Sequence, residues 1–244
     1  MSRAGRPRLG RLSTFTDPGT LRDAFAELVA TAIFVFAAEG ATLSLGKGGL
    51  VSVALAHALA LAAAVACTMN ISGGHVNPAI TFGAFLSGQV CLVRSIVYWT
   101  GQLIGAVTAA LLLRITTGGV HLAEHTLAAG VEGWHAAVLE AAMAFGLMYA
   151  YHATAVDPRR ARAAGIIMAP LAVGLLAGAN VLACGPFDGA VMNPARAFGP
   201  AIVGSRRWAN QWVYWMGPMA GAGLASLVYE HIVINPADDK TKTN

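Results

Sequence analysis

The sequence repeats itself. Displaced by 116 positions (77 to 193), Asn77-Pro78-Ala79 falls on Asn193-Pro194-Ala195, Phe82-Gly83 on Phe198-Gly199 and Gly88 on Gly204. The register continues without a gap. Val97-Tyr98-Trp99 meets Val213-Tyr214-Trp215, Gly101 meets Gly217, and Gly105-Ala106 meets Gly221-Ala222. A chain with such an offset is two copies of one unit, and each copy carries an Asn-Pro step at which a helix starts.

The surroundings of that step are apolar. Of 244 residues, 56% are hydrophobic and 11% charged, where a soluble domain holds about 25% charged residues. The chain reads as an integral membrane protein. Apolar stretches near 21–44, 50–70, 92–114, 135–156, 164–184 and 209–233 approach the ~20 residues that cross a ~30 Å hydrocarbon layer. Two more, near 78–87 and 194–204, are too short to cross, and each opens on its Asn-Pro-Ala. The expected fold is an all-α integral membrane protein with six transmembrane helices plus two re-entrant half-helices. Three spans per copy is an odd number, so the second copy is inverted relative to the first. The repeats cover about 20–115 and 135–234. Residues 1–19, rich in Arg, Gly, Ser and Pro, read as a mobile tail, and 235–244 as a second tail.

Basic residues orient the chain. One side holds Arg3, Arg6, Arg8, Arg11, Arg22, Arg94, Arg159, Arg160, Arg162, Lys240 and Lys242; the other holds Lys47, Arg114, Arg206 and Arg207. The side with the excess is cytoplasmic, so both termini are expected there. The net charge of +4 belongs to these flanks. No basic face with interleaved aromatics points to nucleic acid. The apolar run from Ala24 to Leu45 is too long for a cleaved signal. Cys67, Cys91 and Cys184, without a CxxC, suggest neither disulfides nor zinc. No metal or other cofactor is implied.

Proline suits the first helical position because it has no N–H to leave unpaired, and Asn before it is a strong N-cap. Two such half-helices entering from opposite faces meet at mid-membrane. Their positive dipole ends and two Asn amides then face one small volume. Backbone this irregular is tolerated in hydrocarbon only where it lines a watery cavity, so the reading is a pore centre that orients water and opposes cations. Arg196 lies on the first turn of the second half-helix, opposite Ile80 in the first copy. An intramembrane charge points to a polar cavity, so Arg196 is expected to face the pore. Glu27 and Glu140 lie on the first span of each copy. A proton relay is one reading; buried structural carboxylates accepting N–H groups from the loop before each half-helix is the preferred one. His57, on the second span, is either a satisfied structural histidine or a pore residue. The pairs Gly101/Gly105 and Gly217/Gly221 let helices approach closely, preferably within one bundle.

The double Asn-Pro-Ala with Arg196 resembles the major intrinsic protein (aquaporin) family, over about residues 20–233. Ser72-Gly73-Gly74-His75-Val76-Asn77-Pro78-Ala79 and Ala153-Thr154-Ala155-Val156-Asp157-Pro158 are further similar to the plant tonoplast intrinsic proteins. The resemblance implies a passive channel in a homotetramer, one pore per subunit, in the vacuolar membrane (tonoplast). It also implies a four-residue selectivity filter on the non-cytoplasmic side, which motif spacing puts on His57, Val181, Ala190 and Arg196. His125 falls where some members place a fifth, outer residue; His121 and His135 read as solvated. Arg196 and His57 would supply donors and Val181 and Ala190 an apolar wall. Because Val181 and Ala190 are small, the filter is expected to be wider than a water-only one. Its partners are then water and small neutral solutes such as ammonia, urea and hydrogen peroxide, within a lipid bilayer. Ala197 and Ala201 stand where glycerol facilitators carry an acid and a base, which disfavours a dedicated glycerol channel. The alternative from another class is a secondary transporter with inverted repeats, for which Glu27 and Glu140 are the coupling candidates. No nucleophile–base set or phosphate loop suggests an enzyme.

Overall fold

The computed structural model of the chain describes residues 7–120, 122, 125–157, 159, 162–204 and 208–234. The tail at 235–244, His121, and the orienting residues Arg3, Arg6, Arg160, Arg206, Arg207, Lys240 and Lys242 lie outside them. Eight α-helices appear among the described residues: α1 Pro18–Leu43, α2 Leu45–Thr68, α3 Pro78–Leu86, α4 Leu92–Thr116, α5 Gly133–Tyr151, α6 Arg162–Asp188, α7 Pro194–Val203 and α8 Val213–Val228. The first four form one repeat and the last four the other, with α3 and α7 as the half-helices.

Four helical segments are long and apolar enough to cross a membrane: Pro18–Leu43, Gly49–Thr68, Leu92–Thr116 and Ile167–Asp188. The other two long elements complete their length in an unusual way. α5 continues into a π-turn at His152–Val156 and α8 into another at Tyr229–Val233. At 1.5 Å per residue, α8 alone is about 24 Å long, short of the hydrocarbon thickness; its π-turn makes up the difference.

α1 starts at Pro18, earlier than expected, because Asp17 caps it: its carboxylate accepts from Thr20 N at 2.8 Å. The described part of the N-terminal tail lies against the start of α4. Cys91 offers α4 no side-chain cap, so the orphan N–H groups of Leu92 and Val93 bond to the carbonyls of Arg8 and Leu9, at 2.9 and 3.2 Å. That is the usual need of a helix start met by a neighbouring strand of chain. α6 runs past the expected end at 184 to Asp188, with Pro170 and Pro186 inside it.

Within each repeat, α1 packs on α4 and α2, and α5 packs on α8 and α6. The half-helices cross over: α7 lies against α4 and α3 against α8, so each copy holds the other's short helix. Glycine sets these approaches. A Cβ on Gly101 would lie 2.5 Å from the Ala24 carbonyl oxygen, and one on Gly105 would collide with that of Leu28. In the second repeat, Gly217 and Gly221 face Ala137 and Ala141 in the same manner. Both Gly-x-x-x-Gly pairs therefore serve contacts inside one bundle. The interior is built largely of small side chains, such as Ala30, Ala38, Ala64, Ala79, Ala106 and Ala109, all fully buried. Large apolar side chains such as Phe25, Leu59 and Leu175 point outward, all more than 60% exposed. This inside-out distribution suits a lipid surround, where helix association relies on close packing of small residues.

Candidate functional site

The N-termini of α3 and α7 meet. Asn77 caps α3, its side-chain oxygen accepting from Ala79 N at 2.8 Å; Asn193 caps α7, accepting from Ala195 N at 2.9 Å and Arg196 N at 3.4 Å. The amide nitrogens cross between the repeats. Asn77 Nδ2 donates to Met192 O at 2.8 Å and Asn193 Nδ2 to Val76 O at 2.9 Å. Asn77, Pro78, Ala79, Asn193, Pro194 and Ala195 thus form one reciprocal clasp, all buried. Each amide uses one N–H in the clasp and keeps one.

The clasp requires both carbonyls to turn inward, and the backbone is strained to do so. Val76 and Met192 both have φ 57°, a left-handed conformation that costs a non-glycine residue about 1–3 kcal/mol. Two carboxylates hold it. Glu27 accepts from His75 N at 2.9 Å, Val76 N at 2.6 Å, Ser72 Oγ at 2.5 Å and Gln102 Nε2 at 2.8 Å. Glu140 accepts from Val191 N and Met192 N. Two tyrosines brace the same loops at repeat-equivalent positions, Tyr98 Oη donating to Ser72 O and Tyr214 Oη to Asp188 O. With both oxygens of Glu27 already engaged by four donors, a relay that must release and retake protons is a poor fit to it.

Toward the opposite end of α1 from Glu27 lies the second polar cluster. Arg196 is 2% exposed. Its Nη1 donates to Ala190 O at 2.9 Å and Gly189 O at 3.3 Å, and its Nε to Glu39 at 3.0 Å. His57 and His125 both lie within electrostatic reach of this guanidinium. His125 Nε2 stands 3.7 Å from Glu39 Oε1, and its ring packs on Tyr214. Gly189 makes room for that imidazole: its φ is 92°, and a Cβ there would sit 3.1 Å from His125 Nδ1. Val181 and Ala190 belong to the central apolar cluster. The structure thus brings Arg196, His57 and His125 together and sets Ala190 on the same strand of loop through its carbonyl. Exposed His135 lies elsewhere, accepting from Glu132 N at the start of α5.

One expectation changes. His57 Nδ1 lies 2.7 Å from Val53 O. A carbonyl only accepts, so Nδ1 carries the proton, and in the neutral ring Nε2 is an acceptor. His57 therefore presents a lone pair, not the expected donor, and its Nε2 has no hydrogen-bond partner among the described residues. Of His57, Val181, Ala190 and Arg196, none is more than 2% exposed. The residue that sequence reasoning missed is Glu39. Nothing local marks it, because its partner lies 157 positions away.

The chain matches known proteins over nearly its whole length. The family profile described as major intrinsic protein covers residues 14–229. A probable aquaporin TIP3-1 of Oryza sativa subsp. japonica is 61% identical over 94% of this chain and 89% of its own. The aquaporin TIP3-1 of Zea mays is 62% identical over 94% and 90%. In three dimensions, the aquaglyceroporin from Plasmodium falciparum superposes with a TM-score of 0.81 over 91% of this chain and 99% of that one. At 22% identity, that likeness speaks for the fold alone.

Proposed function

The chain belongs to the major intrinsic protein (aquaporin) family, among the plant tonoplast intrinsic proteins, and is a membrane channel for water, not an enzyme; from that premise we propose that it also passes small neutral solutes and excludes protons and ions. Ammonia, urea and hydrogen peroxide are the candidate solutes. The observation that carries this reading is the pairing of two unengaged polar atoms in the constriction. Arg196 Nη2 makes no hydrogen bond to a described residue, and His57 Nε2 makes none either. One is a donor and the other an acceptor. With Val181 and Ala190 as apolar walls, they form a site for a small molecule that both donates and accepts. Charged species lose hydration that this site does not replace.

His57, Val181, Ala190 and Arg196, with His125 outside them, are the proposed filter. Asn77-Pro78-Ala79 and Asn193-Pro194-Ala195 are the proposed pore centre, where two helix N-termini oppose cations. Glu27 and Glu140 are structural. Urea and methylamine fluxes into proteoliposomes test the proposal; fluxes at the level of empty liposomes remove it. Replacing His57 with Ala takes away the bulkier wall and should raise urea flux at least severalfold.

The relatives' names support a place in the tonoplast, and the lysine and arginine distribution supports cytoplasmic tails at 1–19 and 235–244 around a channel domain at 20–234. A homotetramer is proposed on the family's account, with the exposed apolar faces of the bundle shared between lipid and neighbouring subunits.

A further inference from the structure

Glu39 lies twelve residues after Glu27 on α1, and His152 lies twelve after Glu140 at the end of α5. The two repeats therefore place a buried polar group at the same distance from the carboxylate that holds the half-helix loop. In the second repeat the place is filled by a neutral arrangement, His152 Nε2 lying 3.1 Å from Ser226 Oγ. In the first it is filled by a charge. The Glu39 side chain is 1% exposed and the Arg196 side chain 2%.

The guanidinium is held from two directions. Loop carbonyls of Gly189 and Ala190 take Nη1, and Glu39 Oε1 takes Nε at 3.0 Å. Only Nη2 is left without a bond to a described residue. Glu39 Oε2 has no hydrogen-bond partner among the described residues, and His125 Nε2 stands on the Oε1 side without a hydrogen bond of its own. A buried ion pair adds little net stability, because desolvation offsets attraction. What this pair does supply is geometry and charge balance. Charge-assisted bonds fix a guanidinium plane more firmly than neutral ones, and a carboxylate 3.0 Å away largely cancels the arginine's field in the lumen.

We propose that Glu39 is a positioning, specificity-determining residue of the constriction: by taking Arg196 Nε it draws the guanidinium toward α1, leaves a single donor facing the His57 acceptor, and makes the site nearly neutral, so that it suits uncharged amides and amines. The identity of the solutes rests on the function proposed above; the clamp on Arg196 does not. Without Glu39, the freed Nε–H turns to the lumen and binds water there with one more charge-assisted bond. That obstructs a bulky solute more than water itself.

The test uses the full chain in proteoliposomes, with stopped-flow water and urea permeabilities. Glu39→Ala should lower urea permeability about tenfold, equivalent to about 1.4 kcal/mol, and water about threefold. Glu39→Gln, whose amide oxygen still accepts Nε–H, should recover most of the urea-to-water ratio. Glu39→Asp keeps the charge but falls short by one methylene, so its ratio should drop with water flux intact; it decides the matter if the alanine variant does not fold. Because Glu39 acts through Arg196, adding Glu39→Ala to Arg196→Ala should change neither permeability further. An unchanged ratio in the alanine and aspartate variants, a glutamine variant as impaired as alanine, or full additivity with Arg196→Ala overturns the proposal. Wild-type vesicles that pass water but no urea sink the solute reading alone, and the clamp is then read from water in the same variants.

Discussion

Removing the Glu27 carboxylate should unseat the first re-entrant loop. Glu27→Ala leaves the buried N–H groups of His75 and Val76 without an acceptor and releases Ser72 Oγ and Gln102 Nε2. An unsatisfied buried donor costs about 1–3 kcal/mol, so the two backbone groups alone account for about 2–6 kcal/mol. For a chain of this size each kcal/mol moves the melting temperature by about 2–4 °C, which puts the expected fall at about 4–24 °C. Glu27→Gln keeps one acceptor oxygen and should fall between this and wild type. Glu140→Ala loses the two backbone bonds from Val191 and Met192 but no side-chain partners of that kind, so its fall should be smaller. The assay is thermal unfolding of purified protein in detergent, with water permeability of the same preparation after reconstitution. A Glu27→Ala protein that melts within 2 °C of wild type, on the order of a single marginal interaction, would refute the idea that this carboxylate holds the loop.

Other outcomes follow from single contacts. Gly221→Ala drives a Cβ into the backbone of Ala141, which has nowhere to move, whereas Gly146→Ala meets only Leu176 Cδ2 at 3.5 Å. The first should destabilise by about 1–3 kcal/mol and the second should stabilise slightly, since alanine favours helix by up to about 1 kcal/mol over glycine; melting curves of both variants check the opposite signs. Outside the membrane, the Arg159 guanidinium beside Asp157 holds that carboxyl below the usual carboxylate range, with Tyr229 Oη also donating to it. A depressed folded pKa means stability fully present above the unfolded value of about 3.9 and lost only as pH falls through the lower folded one. Asp157→Asn should therefore lower the melting temperature equally at pH 5 and pH 8; a deficit present at only one of these contradicts the assignment.

Much of this fold was legible because its signals are local or periodic. The Asn-Pro starts, the apolar run lengths and the offset of 116 between Asn77 and Asn193 each constrain the chain without knowledge of what touches what. The Gly-x-x-x-Gly pairs were readable for the same reason. The parts that escaped depend on distant partners or on rotamers. Glu39 sits in a plain helical context, and its role exists only because α7 of the other repeat brings Arg196 beside it. The proton position on His57 follows from a bond to its own helix at Val53, an option open to any helical histidine and chosen by the packing around it, including Phe34, whose ring lies edge-on 6.0 Å away. The apolar run ends near 184, yet α6 continues to Asp188, because Pro186 removes only one helical donor and the last turn tolerates it. The docked tail was hidden because Cys91 gives no hint that α4 borrows its caps from Arg8 and Leu9.

The central claim is a passive, ion-tight water pore centred on the clasp of Asn77 and Asn193. Its most direct test is stopped-flow osmotic permeability of proteoliposomes carrying the full chain, read together with an internal pH dye. The account predicts water flux well above that of empty liposomes, linear in the osmotic gradient, indifferent to protonophore and unaccompanied by any pH change. Water flux at the lipid background, or flux that saturates and moves protons with it, would contradict it.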